Sequence, residues 1–155
     1  LLKRSKIHID VINEGDIVID SYPGAYSQVF TNLLINSIHH GFDGDKLKDK
    51  TGRITIFFAL NEIEDTADKT SETKELVIRY KDNGKGMDHN TLTKIFDPFF
   101  TTRGSTMSSE GRGHRGSGLG MSIVYNIVTQ KLKGKIDANS RMGGGTEFVL
   151  TLPTL

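Results

Sequence analysis

A strand-like run in the middle of the chain ends in the turn DNGKG at positions 82–86. The run from Leu76 to Asp82 is rich in β-forming residues, so the acid stands at the end of a predicted strand. The glycines that follow let the backbone approach a neighbour or a ligand closely. Two interpretations remain open. Asp-Asn-Gly is a favoured turn sequence, and the motif is then only a turn. Alternatively, the carboxylate accepts a hydrogen bond from an exocyclic amine such as that of adenine.

The remaining hydrophobic pattern predicts strands and helices on both sides of this turn. Several strands pair as hairpins and there is no regular strand–helix alternation, which favours an α/β (α+β) two-layer sandwich with a mostly antiparallel sheet. The polar segment 61–74 is predicted to be a flexible hairpin loop. The predicted strands are 7–12, 17–19, 52–60, 76–82, 135–140 and 146–152, and the predicted helices are 23–40, 89–96 and 119–133.

Polar side chains form a narrow stripe on the first predicted helix. At about 100° per residue, Asn32, Asn36 and His39 fall within about 60° of one another. Buried amides need partners, so the stripe either bonds the neighbouring backbone or lines a ligand cavity. A stripe that simply faces solvent is the plainer alternative.

The third predicted helix is preceded by the glycine-rich sequence GSGLG at 116–120. Free amides at a helix start, the positive end of the helix dipole and the absence of Cβ atoms together form a cradle for phosphate groups. The competing interpretation is a flexible loop that happens to precede a helix.

The composition limits the class of partner. The chain has 155 residues and a formal net charge of +1, with basic residues scattered among acids, so there is no general electrostatic reason to bind nucleic acid or an anionic membrane. The absence of cysteine excludes a disulfide framework and thiolate metal sites. We expect one domain over residues 1–155, located in the cytoplasm. Because the chain does not begin with Met, we also expect it to be part of a longer polypeptide.

Four segments, taken in order, resemble the ATP-binding catalytic domain of sensor histidine kinases, in the superfamily that includes DNA gyrase, the Hsp90 chaperone and MutL. They are NLLINSIHHG at 32–41 as an N box, DNGKGM at 82–87 as a G1 box, FDPFF at 96–100 as an F box and GSGLGM at 116–121 as a G2 box. The ending GGGTEFVLTLP at 143–153 is also similar to this family. The resemblance covers nearly the whole chain. It implies the Bergerat fold, a mixed, mostly antiparallel sheet covered on one face by three helices.

The resemblance also implies roles for individual residues. Asn36 resembles the amide that coordinates Mg²⁺, with Asn32 supporting it one turn earlier, and Asp82 resembles the acid that holds the adenine amine. His39 and His40 stand where the family often has Lys, Arg or Tyr, so His39 is either a phosphate contact or a surface histidine. The implied catalytic residues are Asn32, Asn36 and His39, and the implied metal ligand is Asn36. The implied cofactor-binding residues are Asn36, His39, His40, Asp82, Gly84, Gly86, Met87, Phe100, Thr101, Thr102, Arg115, Gly116, Ser117, Gly118, Leu119, Gly120 and Thr146, with an ATP lid at about 101–117.

The implied reaction needs a second domain. Sensor histidine kinases use ATP and Mg²⁺ to phosphorylate a histidine on a separate dimerisation domain of the same protein, and a response regulator acts downstream. The accepting histidine of the family is normally followed by an acid, and none of the five histidines here is. Two alternatives stay open, an ATPase of the gyrase type and a non-catalytic nucleotide-binding regulatory module. The ATPase alternative is disfavoured because Asn32 stands where those enzymes have a glutamate that activates water.

Overall fold

The computed structural model describes residues 7–42, 51–63, 73–100 and 120–154. Within these ranges, five strands form one sheet in the order β1-β2-β3-β5-β4, accompanied by three α-helices. The strands are β1 Ile7–Asn13, β2 Gly52–Ile63, β3 Thr73–Asp82, β4 Lys135–Ser140 and β5 Thr146–Pro153. The helices are α1 Pro23–Asn36, α2 His89–Lys94 and α3 Gly120–Asn126, and α1 and α3 continue into the π-helical turns Ser37–Gly41 and Ile127–Lys131.

The sheet is mixed and mostly antiparallel, as predicted. Strands β1 and β2 pair in parallel because α1 lies between them in the chain and returns it to the same edge. The other three pairs are antiparallel. In this arrangement the ends of β3 and α1 and the turn between β4 and β5 all come to the same end of the domain.

One face of the sheet carries the core. Ile78 and Tyr80 are fully buried on β3, whereas Arg79 between them is exposed. Leu33 of α1 and Val124 of α3 belong to the same buried cluster, so the helices cover this face. The alternation of buried and exposed residues therefore confirms the two-layer sandwich.

The predicted strand at Ile17–Ile19 is wrong. Residues 16–20 form no strand, although Ile17 and Ile19 pack against the core and Val18 between them is 88% exposed. The alternation is thus real, but the segment connects β1 to α1 and pairs with no strand in the described part of the chain.

The predicted loop at 61–74 is shorter than expected. Strand β2 continues to Ile63 and β3 begins at Thr73, with these two residues paired. The remaining residues, 64–72, lie outside the described part of the chain.

Candidate functional site

A cavity of about 210 Å³ opens where the end of α1 meets the end of β3 and the β4–β5 turn. It brings together residues that are far apart in the sequence. Predicted site residues that line it are Asn36, His40, Asp82, Gly86, Met87 and Thr146, and residues that were not predicted are Gly41, Lys85, Asp88, Thr91 and Met142.

Asp82 is the buried acid of this cavity, with only 2% of its surface exposed. Its Oδ1 accepts hydrogen bonds from the backbone amides of Gly84, at 3.0 Å, and Thr146, at 3.2 Å. Its Oδ2 accepts a hydrogen bond from the Ser37 hydroxyl at 2.7 Å. A carboxylate has about four acceptor positions. Three donors among the described residues therefore fix the orientation of Asp82, and they leave room at Oδ2 for one further donor.

Ser37 is held in turn by Tyr80. The Tyr80 hydroxyl lies 2.8 Å from Ser37 Oγ and 3.2 Å from the carbonyl oxygen of Leu33. Because Ser37 uses its only proton on Asp82, it can only accept from Tyr80, whose single proton is shared between Ser37 Oγ and the Leu33 carbonyl oxygen. Burial raises the pKa of Tyr80, the Ser37 hydrogen bond lowers it by less, and the negative charge of Asp82 raises it further. The phenol thus stays protonated and orients Ser37 towards Asp82.

The turn after Asp82 is hydrogen-bonded to the end of the α1 segment on one side and to the β4–β5 turn on the other. The Lys85 amide donates to the Gly41 carbonyl at 2.8 Å, and the Gly143 amide donates to the Lys85 carbonyl at 2.7 Å. Gly86 has φ +73°, and a Cβ atom at this position would overlap the carbonyl oxygen of Arg141. The turn therefore requires glycine both for its conformation and for the close approach of the β4–β5 turn.

Helix α2 begins at the rim of the cavity. Asp88 is its N-cap, and its Oδ1 accepts a hydrogen bond from the Thr91 amide at 2.7 Å. This hydrogen bond is the main reason why the pKa of the exposed Asp88 carboxyl is lowered. The spacing Asp-x-x-Thr is a capping signal that sequence inspection can find, but it does not disclose that both side chains line the cavity.

Several predicted site residues lie elsewhere in the described structure. Asn32 is half-buried, and its Nδ2 atom is buried with no described residue accepting a hydrogen bond from it. Gly84 lies behind the cavity, where a Cβ atom would come 2.5 Å from the Gly41 carbonyl oxygen. His39, Phe100 and Gly120 are partly buried and do not line the described cavity. Thr101, Thr102, Arg115, Gly116, Ser117, Gly118 and Leu119, together with the predicted lid at about 101–117, fall outside the described residues.

Some of the cavity residues that were not predicted lie next to a predicted motif in the sequence, and others do not. Gly41 ends the α1 segment, and Lys85 stands between the two glycines of the turn. Both residues could therefore have been predicted from the sequence. Met142 comes from the β4–β5 turn, which reaches the cavity only because Thr146 pairs with Asp82. That pairing joins residues 64 positions apart, and no local pattern indicates it.

Comparison with known proteins agrees with the geometry. The family described as histidine kinase-, DNA gyrase B- and HSP90-like ATPase matches residues 22–155. Sensor histidine kinase AtsR of Burkholderia thailandensis is 32% identical over 92% of this chain and 20% of its own length. Sporulation kinase E of Bacillus subtilis is 31% identical over 98% of this chain and 17% of its own length. The chain thus spans about a fifth of these relatives.

Solved structures show the same fold. The catalytic domain of histidine kinase ThkA aligns with a TM-score of 0.66 at 23% identity, covering 96% of this chain and 80% of that one. The mycobacterial sensor histidine kinase MprB aligns with a TM-score of 0.60 at 22% identity, covering 99% and 85%. Among the helices that the structure describes, none is long and apolar enough to cross a membrane. The chain belongs to the histidine kinase-, DNA gyrase B- and HSP90-like ATPase family, and within that family it is an ATP-binding catalytic domain of the sensor histidine kinase type.

Proposed function

We propose that this domain binds Mg-ATP in the cavity around Asp82 and presents the γ-phosphate to a histidine on a separate dimerisation domain of the same protein. The observation that carries the proposal is the environment of Asp82, which is buried, and which three donors in the described part of the chain hold with one acceptor position left over. A buried acceptor requires a donor from its ligand, because an unmatched polar group there loses its hydration without compensation.

The exocyclic amine of adenine is the donor that fits this position. A hydrogen bond to a charged acceptor contributes about 1.5–3 kcal/mol. Gly86 brings the backbone of the turn close to the base, and the side chains of Met87 and Met142 supply polarisable apolar surface in the same cavity. In this proposal the base lies against β3 and the β4–β5 turn.

The phosphates then extend towards the end of α1. Among the described residues, no group of three or more His, Cys, Asp or Glu is placed to hold a metal ion. Mg²⁺ in phosphoryl-transfer sites often has only one or two protein ligands and otherwise binds phosphate and water. Asn36 offers one amide oxygen in the cavity wall, so the residues fit an Mg²⁺ ion that arrives with the nucleotide. Asn36 would hold such an ion, which would supply positive charge to neutralise the phosphates.

The remaining predicted contacts are part of the same proposal. His40 lines the cavity beside Asn36, and Asn32, one turn earlier on α1, carries a buried amide donor without a partner in the described structure. Asn32 and His39 are proposed to support the phosphate end of the site. Phe100, Gly120 and the predicted cofactor-binding residues that lie outside the described part of the chain are proposed to contact the nucleotide.

Transfer to histidine is favoured over hydrolysis by the chemistry of Asn32. An amide cannot accept the proton of an attacking water, so this position supplies no general base. The role of the domain is then to position and stabilise the phosphates. We propose that the acceptor domain belongs to the same protein, that a response regulator receives the phosphoryl group, and that the reaction takes place in the cytoplasm.

Calorimetric titration with ADP tests the nucleotide site. Asp82→Asn keeps a carbonyl oxygen for the amides of Gly84 and Thr146, but it turns an amide NH₂ donor towards the donor on adenine. We expect ADP binding to weaken by at least about 30-fold. Asp88→Asn is the matched control, because it removes the same charge from the same cavity and the Asn side-chain oxygen can still accept the capping hydrogen bond. This control is expected to bind ADP within about fivefold of the wild type.

Equal weakening by Asp82→Asn and Asp88→Asn would show that only the charge of the cavity matters, and the assignment of the base to Asp82 would then be wrong. Wild-type protein that does not bind ADP would contradict the proposed function itself.

A further inference from the structure

The hydroxyl group of Ser140, at the end of β4, joins three polar groups from two different segments. Its Oγ lies 2.8 Å from the Met87 amide nitrogen, 2.7 Å from the Gly145 carbonyl oxygen and 2.9 Å from Thr146 Oγ1. Within the described structure, Thr146 and Met87 line the cavity and Ser140 does not. Ser140 therefore contacts the cavity wall from behind.

The directions of these three hydrogen bonds follow from the atoms involved. A hydroxyl has one proton to donate and two lone pairs that accept. The Met87 amide can only donate and the Gly145 carbonyl can only accept, so Ser140 donates its proton to Gly145. The Thr146 hydroxyl must then donate its own proton to Ser140. Thr146 Oγ1 consequently has only lone pairs left for a ligand in the cavity.

The strand register makes this arrangement part of the sheet. Asp82 of β3 pairs with Thr146 of β5, and Thr146 pairs with Ser140 of β4. The three residues form one row across adjacent strands, on the face that carries the core. Asp82 Oδ2 and Thr146 Oγ1 are thus two neighbouring acceptors, one fixed by Ser37 and the other by Ser140.

We propose that Ser140 is a positioning residue that makes Thr146 a hydrogen-bond acceptor towards the base, so that the cavity selects a purine with a donor at position 6 of its ring. The inference rests on the proposed function and assigns the basis of its base selectivity. Without the Ser140 oxygen, the Thr146 hydroxyl is free to rotate and to donate. A 6-oxo purine, which presents an acceptor at position 6, is then rejected less strongly.

Titration with ADP and with inosine diphosphate, which carries a 6-oxo group in place of the 6-amino group, measures this selectivity. The wild type is expected to bind ADP more tightly. Ser140→Ala is expected to lower the ratio of the two dissociation constants about three- to tenfold, the range of one hydrogen bond. Ser140→Thr retains the hydroxyl and is expected to keep the wild-type ratio. A purely structural role of Ser140 would weaken both nucleotides equally and leave the ratio unchanged.

Thr146→Val provides a second variant in case Ser140→Ala does not fold. It removes the oriented hydroxyl but leaves the Ser140 bonds to Met87 and Gly145, and it is expected to lower the same ratio. An unchanged ratio in Thr146→Val, or in a folded Ser140→Ala, overturns the inference and leaves the proposed function standing if the wild type still prefers ADP. A wild type that binds neither nucleotide overturns both.

Discussion

Single residues around the cavity owe their properties to partners from several elements. Asp82 is held by the Ser37 hydroxyl at the end of α1, by an amide of its own turn and by an amide of β5. Tyr80 adds a fourth contribution through Ser37. Because buried polar groups are costly unless they are hydrogen-bonded, each of these contacts affects both the stability of the fold and the geometry of the acceptor.

Ser37→Ala tests this coupling. Ser37 is fully buried, and its loss leaves Asp82 Oδ2 without its internal donor. We expect the free energy of unfolding, measured with urea, to fall by about 1–3 kcal/mol. We also expect ADP affinity to fall, because the carboxylate is no longer held in one orientation. Tyr80→Phe is the comparison variant, since it keeps the Ser37–Asp82 bond. Wild-type ADP affinity in Ser37→Ala would show that Ser37 does not orient the acceptor.

At the level of whole elements, the ends of the helices matter most for the site. Helix α1 widens into a π-helical turn at Ser37–Gly41, the segment that contacts both Asp82 and the Lys85 amide. π-Helical turns are rare in proteins, and those that do occur are often found at functional sites. Helix α2 has only six residues and is too short to be stable alone. It therefore depends on its cap at Asp88 and on its position beside the sheet.

The N-cap hydrogen bond of Asp88 predicts that the stability of the fold depends on pH. The Thr91 hydrogen bond lowers the pKa of Asp88 in the folded state, so the ionised form stabilises the fold at neutral pH. This contribution is complete above the unfolded-state pKa of about 3.9 and is lost as pH falls through the lower folded-state pKa. Asp88→Asn lacks this titration. We therefore expect the stability advantage of the wild type over Asp88→Asn in urea unfolding to shrink between about pH 7 and pH 3. An advantage of equal size at both pH values would contradict the role of this hydrogen bond.

On the scale of the whole molecule, the two layers bring the active groups to one end of the domain. The cavity contains residues from the ends of α1 and β3, from the start of α2 and from the β4–β5 turn. None of the five histidines of the chain is followed by an acid. The chain matches only about a fifth of the length of its kinase relatives. The proposed reaction therefore joins two domains, with this one supplying the nucleotide.

Phosphoryl transfer from γ-labelled ATP tests that division of labour. We expect the isolated chain to bind ATP but to label itself poorly and to release phosphate slowly, because Asn32 provides no base. Addition of the dimerisation domain of the same protein is expected to give labelled acceptor, and removal of Mg²⁺ with EDTA is expected to abolish it. An acceptor domain without its histidine is the control. Strong self-labelling of the isolated chain would count against the proposed acceptor.

Local patterns predicted much of the fold. Residue patterns along the chain predicted all five described strands and the three helices. The segment Ile17–Ile19 was predicted wrongly, because alternation indicates which side chains are buried but not whether a partner strand is present. The strand ends at Ile63 and Thr73 were missed for a related reason, since their polar neighbours look like a loop until the strands are paired.

The residues of the candidate site likewise fall into those that a local sequence pattern indicates and those that only tertiary contacts bring to the site. Asp82 and its glycines were visible in the sequence because a tight turn after a strand requires particular residue types within a few positions. Ser37, Tyr80, Ser140 and Met142 were not identified, because their roles arise from hydrogen bonds and contacts between segments far apart in the chain. Local conformational preferences act over a few residues and can be read directly. The direction of a hydroxyl proton or the wall of a cavity exists only after folding has brought distant groups within hydrogen-bonding distance.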